Sequence, residues 1–122
     1  MNSTDTTNEL VMYSRTSGCP FVTLAKRVLG EHGVPYREIF YDRDDQARER
    51  LLAWTGFLSV PTLIIARRGE DVPLGPVAPL PPGDSPRGID RGAMITEPNI
   101  TQLIDWLKQH GLIAQAGVQN PS

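Results

Sequence analysis

Residues 10–30 read Leu10-Val11-Met12-Tyr13-Ser14-Arg15-Thr16-Ser17-Gly18-Cys19-Pro20-Phe21-Val22-Thr23-Leu24-Ala25-Lys26-Arg27-Val28-Leu29-Gly30. The first four form an unbroken apolar run, short enough for a buried strand. A polar turn follows. From Pro20 the period changes: Phe21, Leu24, Ala25, Val28 and Leu29 recur at i, i+3, i+4, i+7 and i+8, the stripe of an amphipathic helix. Proline belongs in the first helical turn, where the N–H it lacks would have no intrahelical partner. Gly30 and Gly33 supply the stop. The span therefore reads as strand, turn and helix, with a cysteine at the junction.

Downstream, the same alternation continues. Tyr36 to Tyr41 is rich in aromatic and β-favouring residues and reads as a second strand. Asp42, Asp44 and Asp45 put carboxylates where a helix dipole favours them. The helix they open carries Ala47, Leu51, Leu52 and Trp54, runs to about Thr55, and closes at Gly56. Thr62 to Ala66 is a third strand, Ala93 to Ile95 a short fourth. A last helix covers Asn99 to His110, with Ile100, Leu103, Ile104 and Leu107 on one stripe. The first strand–helix–strand unit implies a right-handed parallel pair. The third and fourth strands can pair antiparallel. The expected architecture is α/β: a mixed four-stranded sheet flanked by about three helices.

Between the third and fourth strands, residues 67–92 hold six of the eleven prolines, from Pro73 to Pro86, together with Gly69, Gly75, Gly83 and Gly88. Proline fixes φ and donates no hydrogen bond, so this segment is expected to form neither helix nor interior strand. A loop this long is either functional or a tolerated surface insertion, and the composition does not separate the two.

A chain of 122 residues suits one domain, here residues 1–122, with fraying ends at 1–7 and 114–122. A net charge of -2 gives no electrostatic case for nucleic acid or for an anionic membrane surface. No apolar run approaches the roughly 20 residues of a membrane span. Met1 to Asn8 is polar and lacks an apolar signal core, so a cytoplasmic location is expected. Cys19 is the sole cysteine, which excludes an intramolecular disulfide and a multi-thiolate zinc site. His32 and His110 are too few for a histidine-rich metal site.

Cys19 ends the turn before the helix, where free N–H groups and the positive dipole end favour a thiolate over a thiol. Arg15, four residues earlier, is in reach to add a positive charge, and Pro20 presets the first helical φ. The competing reading is a small buried cysteine that only packs. Ser59-Val60-Pro61-Thr62 precedes the third strand. A trans proline opening a strand is the common case. A cis bond between Val60 and Pro61 would turn the backbone of Val60 outward, to pair with an extended peptide.

Tyr13-Ser-Arg-Thr-Ser-Gly-Cys-Pro-Phe21, followed by Thr55-Gly-Phe-Leu-Ser-Val-Pro-Thr62, resembles glutaredoxins of the thioredoxin superfamily. The similarity covers about Leu10 to Ala66, and the closing strand and helix by pattern only. It implies a thioredoxin-like fold, a nucleophilic thiol at Cys19, a cis proline at Pro61, and a substrate-binding set of Arg15, Pro20, Phe21, Val60, Pro61 and Thr96. It also implies glutathione or another low-molecular thiol as co-substrate, disulfide-bearing proteins as partners, and no tightly bound cofactor. The departures are specific. Val22 stands where dithiol members carry a second cysteine, leaving only monothiol chemistry. Cys-Pro-Phe-Val replaces the Cys-Gly-Phe-Ser of cluster-binding members, which argues against an iron–sulfur cluster. Leu58 replaces a usual basic residue. Thr96-Glu97-Pro98-Asn99 replaces the usual Gly-Gly and acidic start of the last helix, and Glu97 opposes an incoming carboxylate there.

The expected activity is monothiol reduction of disulfides or glutathione mixed disulfides through Cys19. The alternatives are a thioredoxin-fold docking module that uses the 67–92 loop, and a cluster carrier. Trp54 and Trp106 read as packing residues. Asp42 to Asp45 reads as a solvated helix start, not a metal site. Arg67, Arg68, Arg87 and Arg91 read as surface charges at loop and strand ends.

Overall fold

The computed structural model describes residues 8–81 and 83–113; the terminal segments read as fraying ends lie outside them. Strands β1 (Asn8–Ser14), β2 (Arg37–Phe40), β3 (Thr62–Arg67) and β4 (Met94–Thr96) alternate with helices α1 (Pro20–Glu31), α2 (Asp45–Thr55) and α3 (Ile100–Gln109). The sheet order is β2-β1-β3-β4. β1 pairs in parallel with β2, Val11 opposite Arg37, and antiparallel with β3, Val11 opposite Ile64. β4 lies antiparallel to β3, Leu63 opposite Ile95. This is the thioredoxin-like α/β fold. No helix among the described residues is long and apolar enough to cross a membrane.

Buried core residues fill β1 and β3 on both faces. Tyr13 meets Trp54 of α2 edge-on at 5.3 Å between ring centroids, with Arg50 over the same ring. Alternation sends Leu10 and Met12 to the opposite face, and they are buried too. α1 and α3 pack on one another. Local signals set the helix ends. Asp44 accepts from the Gln46 and Ala47 amides, and Gly56 takes φ 79° to close α2. Asn99 and Gln102 form a reciprocal capping box on α3.

Three apolar residues assigned to core stripes lie outside. Phe21, Leu52 and Ile100 are exposed, while Val22, Thr55 and Trp106 are buried on the respective helices. Phe21 and Ile100 sit in the first turn of their helices, so the core-facing stripe begins one residue later in α1 and at Leu103 in α3.

Among the described residues the proline-rich segment forms no helix, and beyond Arg67, the last residue of β3, its ladder contacts are isolated bridges from Arg87 to Thr96 and from Asp90 to Ile95. It is nonetheless anchored at both ends. Near its start, Asp71 pairs with Arg37 at 2.7 Å and with Arg50 at 3.7 Å, and its carbonyl accepts from the Tyr13 hydroxyl. Arg37 also holds Glu9, at 3.0 Å, and the Gly69 amide donates to the same carboxylate. That amide is the main reason the Glu9 carboxyl is held below its usual range.

At the other end stands Arg91, which corrects the surface reading: it is 6% exposed. Its Nε donates to the Ala78 carbonyl at 2.7 Å, and its Nη1 to the Trp54 carbonyl at 2.6 Å. The Trp54 carbonyl lies in the last turn of α2, where the dipole favours a cation. No carboxylate pairs with Arg91 among the described residues, and burial pushes its guanidinium below the usual arginine range. Arg91→Ala leaves both carbonyls without a partner, and is expected to lower stability by about 2 kcal/mol in urea unfolding. An unchanged midpoint would show that the loop is not held there.

Candidate active site

The β1–α1 turn is built by its neighbours. Asp42, in the turn after β2, accepts from the Thr16 amide at 3.1 Å and from its hydroxyl at 2.6 Å. The hydroxyl is the main reason the Asp42 carboxyl lies below its usual range. Asp42 is thus a clamp on the turn, a role hidden when Asp42 to Asp45 is read only as a helix start. The turn delivers Cys19 to the N-cap of α1, in extended conformation, with Pro20 opening the helix. The Cys19 side chain makes no capping hydrogen bond, while its carbonyl accepts from the Thr23 amide at 3.0 Å.

Opposite this turn, the bond between Val60 and Pro61 is cis. The Val60 carbonyl oxygen lies 3.8 Å from Cys19 Sγ, across 41 residues of sequence. Thr62 fixes the start of β3, with its hydroxyl donating to the Ser59 carbonyl and 2.9 Å from the Thr96 hydroxyl. Beyond β4, the Glu97 amide donates to the Pro61 carbonyl at 2.8 Å. The start of α1 and the Val60–Pro61 pair therefore meet at the thiol, and the β4–α3 connection is tied to Pro61. Cys19 is 8% exposed, at the edge of a shallow depression that it lines with Gly18, Pro20, Thr23, Leu24 and Arg27.

The family profile described as Glutaredoxin matches residues 10–70, half of the chain. The chain belongs to the glutaredoxin family. Its members are thiol–disulfide oxidoreductase-like proteins, and the matched span of this glutaredoxin contains both Cys19 and the Val60–Pro61 pair. No curated protein matches the chain.

The residues anticipated for substrate binding are distributed unevenly around the sulfur of this glutaredoxin. Cys19, Pro20, Val60 and Pro61 converge. Phe21 is exposed on the first turn of α1, beside them. Arg15 turns its Nη2 to the Gly18 carbonyl at 2.9 Å, bracing the turn, and its Nε is buried without a hydrogen-bond partner among the described residues. Thr96 is buried, with its hydroxyl on Thr62 and its carbonyl on the Gly88 amide. Arg87, read as a plain surface charge, reaches the rim instead: it pairs with Glu97 at 2.7 Å and lies 5.0 Å over the Phe21 ring. Its position inside an aperiodic loop carries no signal that would have found it.

Proposed function

We propose that this chain is a single-thiol oxidoreductase of the cytoplasm that takes glutathione from mixed disulfides or reduces other disulfides. The Cys19 thiolate attacks the sulfur of the bound disulfide; a new S–S bond joins Cys19 to that sulfur, and the other sulfur leaves as thiolate. A second thiolate, from glutathione or another low-molecular thiol, then attacks the sulfur that Cys19 carries; Cys19 leaves as the free thiolate, and the attacking thiol ends in a disulfide with that group, oxidised glutathione where the group is glutathione. The observation that carries this reading is Cys19 Sγ at a helix N-cap, 3.8 Å from a backbone carbonyl of a separate segment. Backbone next to a thiol is what an extended substrate can pair with. Arg15 braces the turn that holds the sulfur.

Mass spectrometry of alkylation-quenched reactions tests it. Reduced protein mixed with oxidised glutathione at neutral pH is expected to gain one glutathionyl group on the Cys19 peptide. The native chain is expected to react faster than the urea-unfolded chain, and reduced glutathione to reverse the adduct. A native thiol slower than the unfolded one would mark Cys19 as an inert, packed cysteine and favour the docking-module reading.

A further inference from the structure

The proline-rich loop returns to the sheet beside the thiol. Pro86 is buried, the Arg87 amide is held by the Ser85 hydroxyl at 3.2 Å, and the Gly88 amide donates to the Thr96 carbonyl at 2.7 Å. Gly88 has φ 74°, and a Cβ there would come within 2.8 Å of the Gln102 side chain, so the backbone lies directly against the capping box of α3. These contacts fix where Arg87 starts. Its side chain then touches the Phe21 ring, two residues after Cys19, and Glu97, whose own amide is bonded to Pro61.

The charges at this rim have a definite consequence. The Glu97 side chain is 16% exposed and the Arg87 side chain 61%. Without Arg87, a largely desolvated carboxylate on the segment bonded to Pro61 would repel an anion coming near it. With it, Glu97 is neutralised through Nε, and the guanidinium makes no other hydrogen bond among the described residues. An arginine has five N–H donors in a planar fork, and stacking on Phe21 orients that fork. At the start of α3, the Asn99 and Gln102 amides are already engaged by each other's side chains, and position 58 is a leucine.

We infer that Arg87 is a specificity-determining residue that makes Cys19 prefer disulfides with a carboxylate close to the reacting sulfur over neutral ones. This rests on Cys19 reacting with disulfides as proposed above, and the test separates the two claims.

The probes are two symmetrical aromatic disulfides: 5,5′-dithiobis(2-nitrobenzoate), with a carboxylate on each ring, and neutral 2,2′-dithiodipyridine. In both reactions the Cys19 thiolate forms one S–S bond and one aryl thiolate leaves; the intrinsic reactivities of the probes differ but cancel when variant is compared with wild type, so the change in the ratio of the two rate constants reports charge selection. Arg87→Ala is expected to slow the anionic probe about fivefold, the scale of an exposed ionic contact, while leaving the neutral probe within about twofold. Salt is expected to shrink the wild-type ratio toward that of the variant. Adding Glu97→Gln to Arg87→Ala is expected to recover part of the anionic rate. Arg27, which lines the depression at Cys19 and pairs with Glu31 at 3.9 Å, is the control: Arg27→Ala is expected to move the ratio less. A neutral probe that reacts normally with a ratio unmoved by Arg87→Ala, or moved more by Arg27→Ala, overturns the role of Arg87 and spares the thiol reading. Both probes reacting no faster than with the unfolded chain overturns the thiol reading, and the role of Arg87 with it.

Discussion

Cys19→Ser is expected to reduce turnover of a glutathione mixed disulfide to the uncatalysed rate while leaving the fold intact. A serine hydroxyl stays protonated at neutral pH and does not displace a thiolate from a disulfide, whereas the thiolate is the nucleophile on which the reaction depends. No other thiol can substitute, because the chain has one cysteine and the third residue after it is Val22, buried in the core face of α1. Stability is expected to move the other way. Cys19 occupies the N-cap of α1 without a capping side-chain hydrogen bond. Serine is among the preferred N-caps, worth about 1 kcal/mol over a residue that does not cap. The decisive pair of measurements is therefore activity on a glutathionylated peptide and the thermal midpoint. Activity that survives the substitution would remove Cys19 from the chemistry. Activity lost together with the fold would show that the sulfur is needed for packing.

Where a signal is local, the sequence carries it well. Pro20 at the first turn, Asp44 at a cap and Gly56 in left-handed conformation each act within a few residues, so their meaning survives without tertiary knowledge. The apolar runs of β1 and β3 are buried on both faces, and such runs do not depend on deciding which face is inside. Helix phase was harder. In α1 the stripes beginning at Phe21 and at Val22 share Ala25, Val28 and Leu29, and periodicity cannot choose between their first members. The sheet makes that choice, since the first turn of α1 projects beyond the core toward the thiol. Ile100 is exposed in the first turn of α3 in the same way.

Cys19 and the Val60–Pro61 pair were legible because each has a distinctive local sequence, although their meeting spans 41 residues. The arginines were not. Arg91 finds its carbonyl partners 13 and 37 residues away, and Arg87 its carboxylate 10 residues away. A long side chain with five donors takes its role from whatever polar atoms the fold brings near it, and no spacing rule encodes that. Thr96 shows the converse. The resemblance implies a substrate-binding role for it, but its hydroxyl faces Thr62 in the core, a contact that only strand pairing creates.

Joining Ala66 directly to Ala93 through a short turn is expected to destabilise the domain by more than the Arg91→Ala substitution, by at least about 4 kcal/mol given the polar groups left unpaired. If the loop were a passive insertion, its removal would be neutral or slightly favourable, since each halving of loop length returns only about 0.6 kcal/mol of closure entropy. The contacts argue otherwise. Excision takes Asp71 from Arg37, Arg50 and Tyr13, and takes Arg91 from the last turn of α2. It also takes the Gly92 carbonyl from the buried Trp106, whose indole N–H donates to it at 2.9 Å. Trimming only residues 80–84 spares every one of these groups and is expected to leave the urea midpoint nearly unchanged. The two deletions together separate length from anchoring: equal, small effects would make the whole segment a dispensable surface loop. A large loss confined to the full excision would make its two ends part of the core. The full excision would also remove the carrier of Arg87, so the trimmed chain, which keeps Pro86, Arg87 and Gly88, is the one expected to retain the charge preference of Cys19.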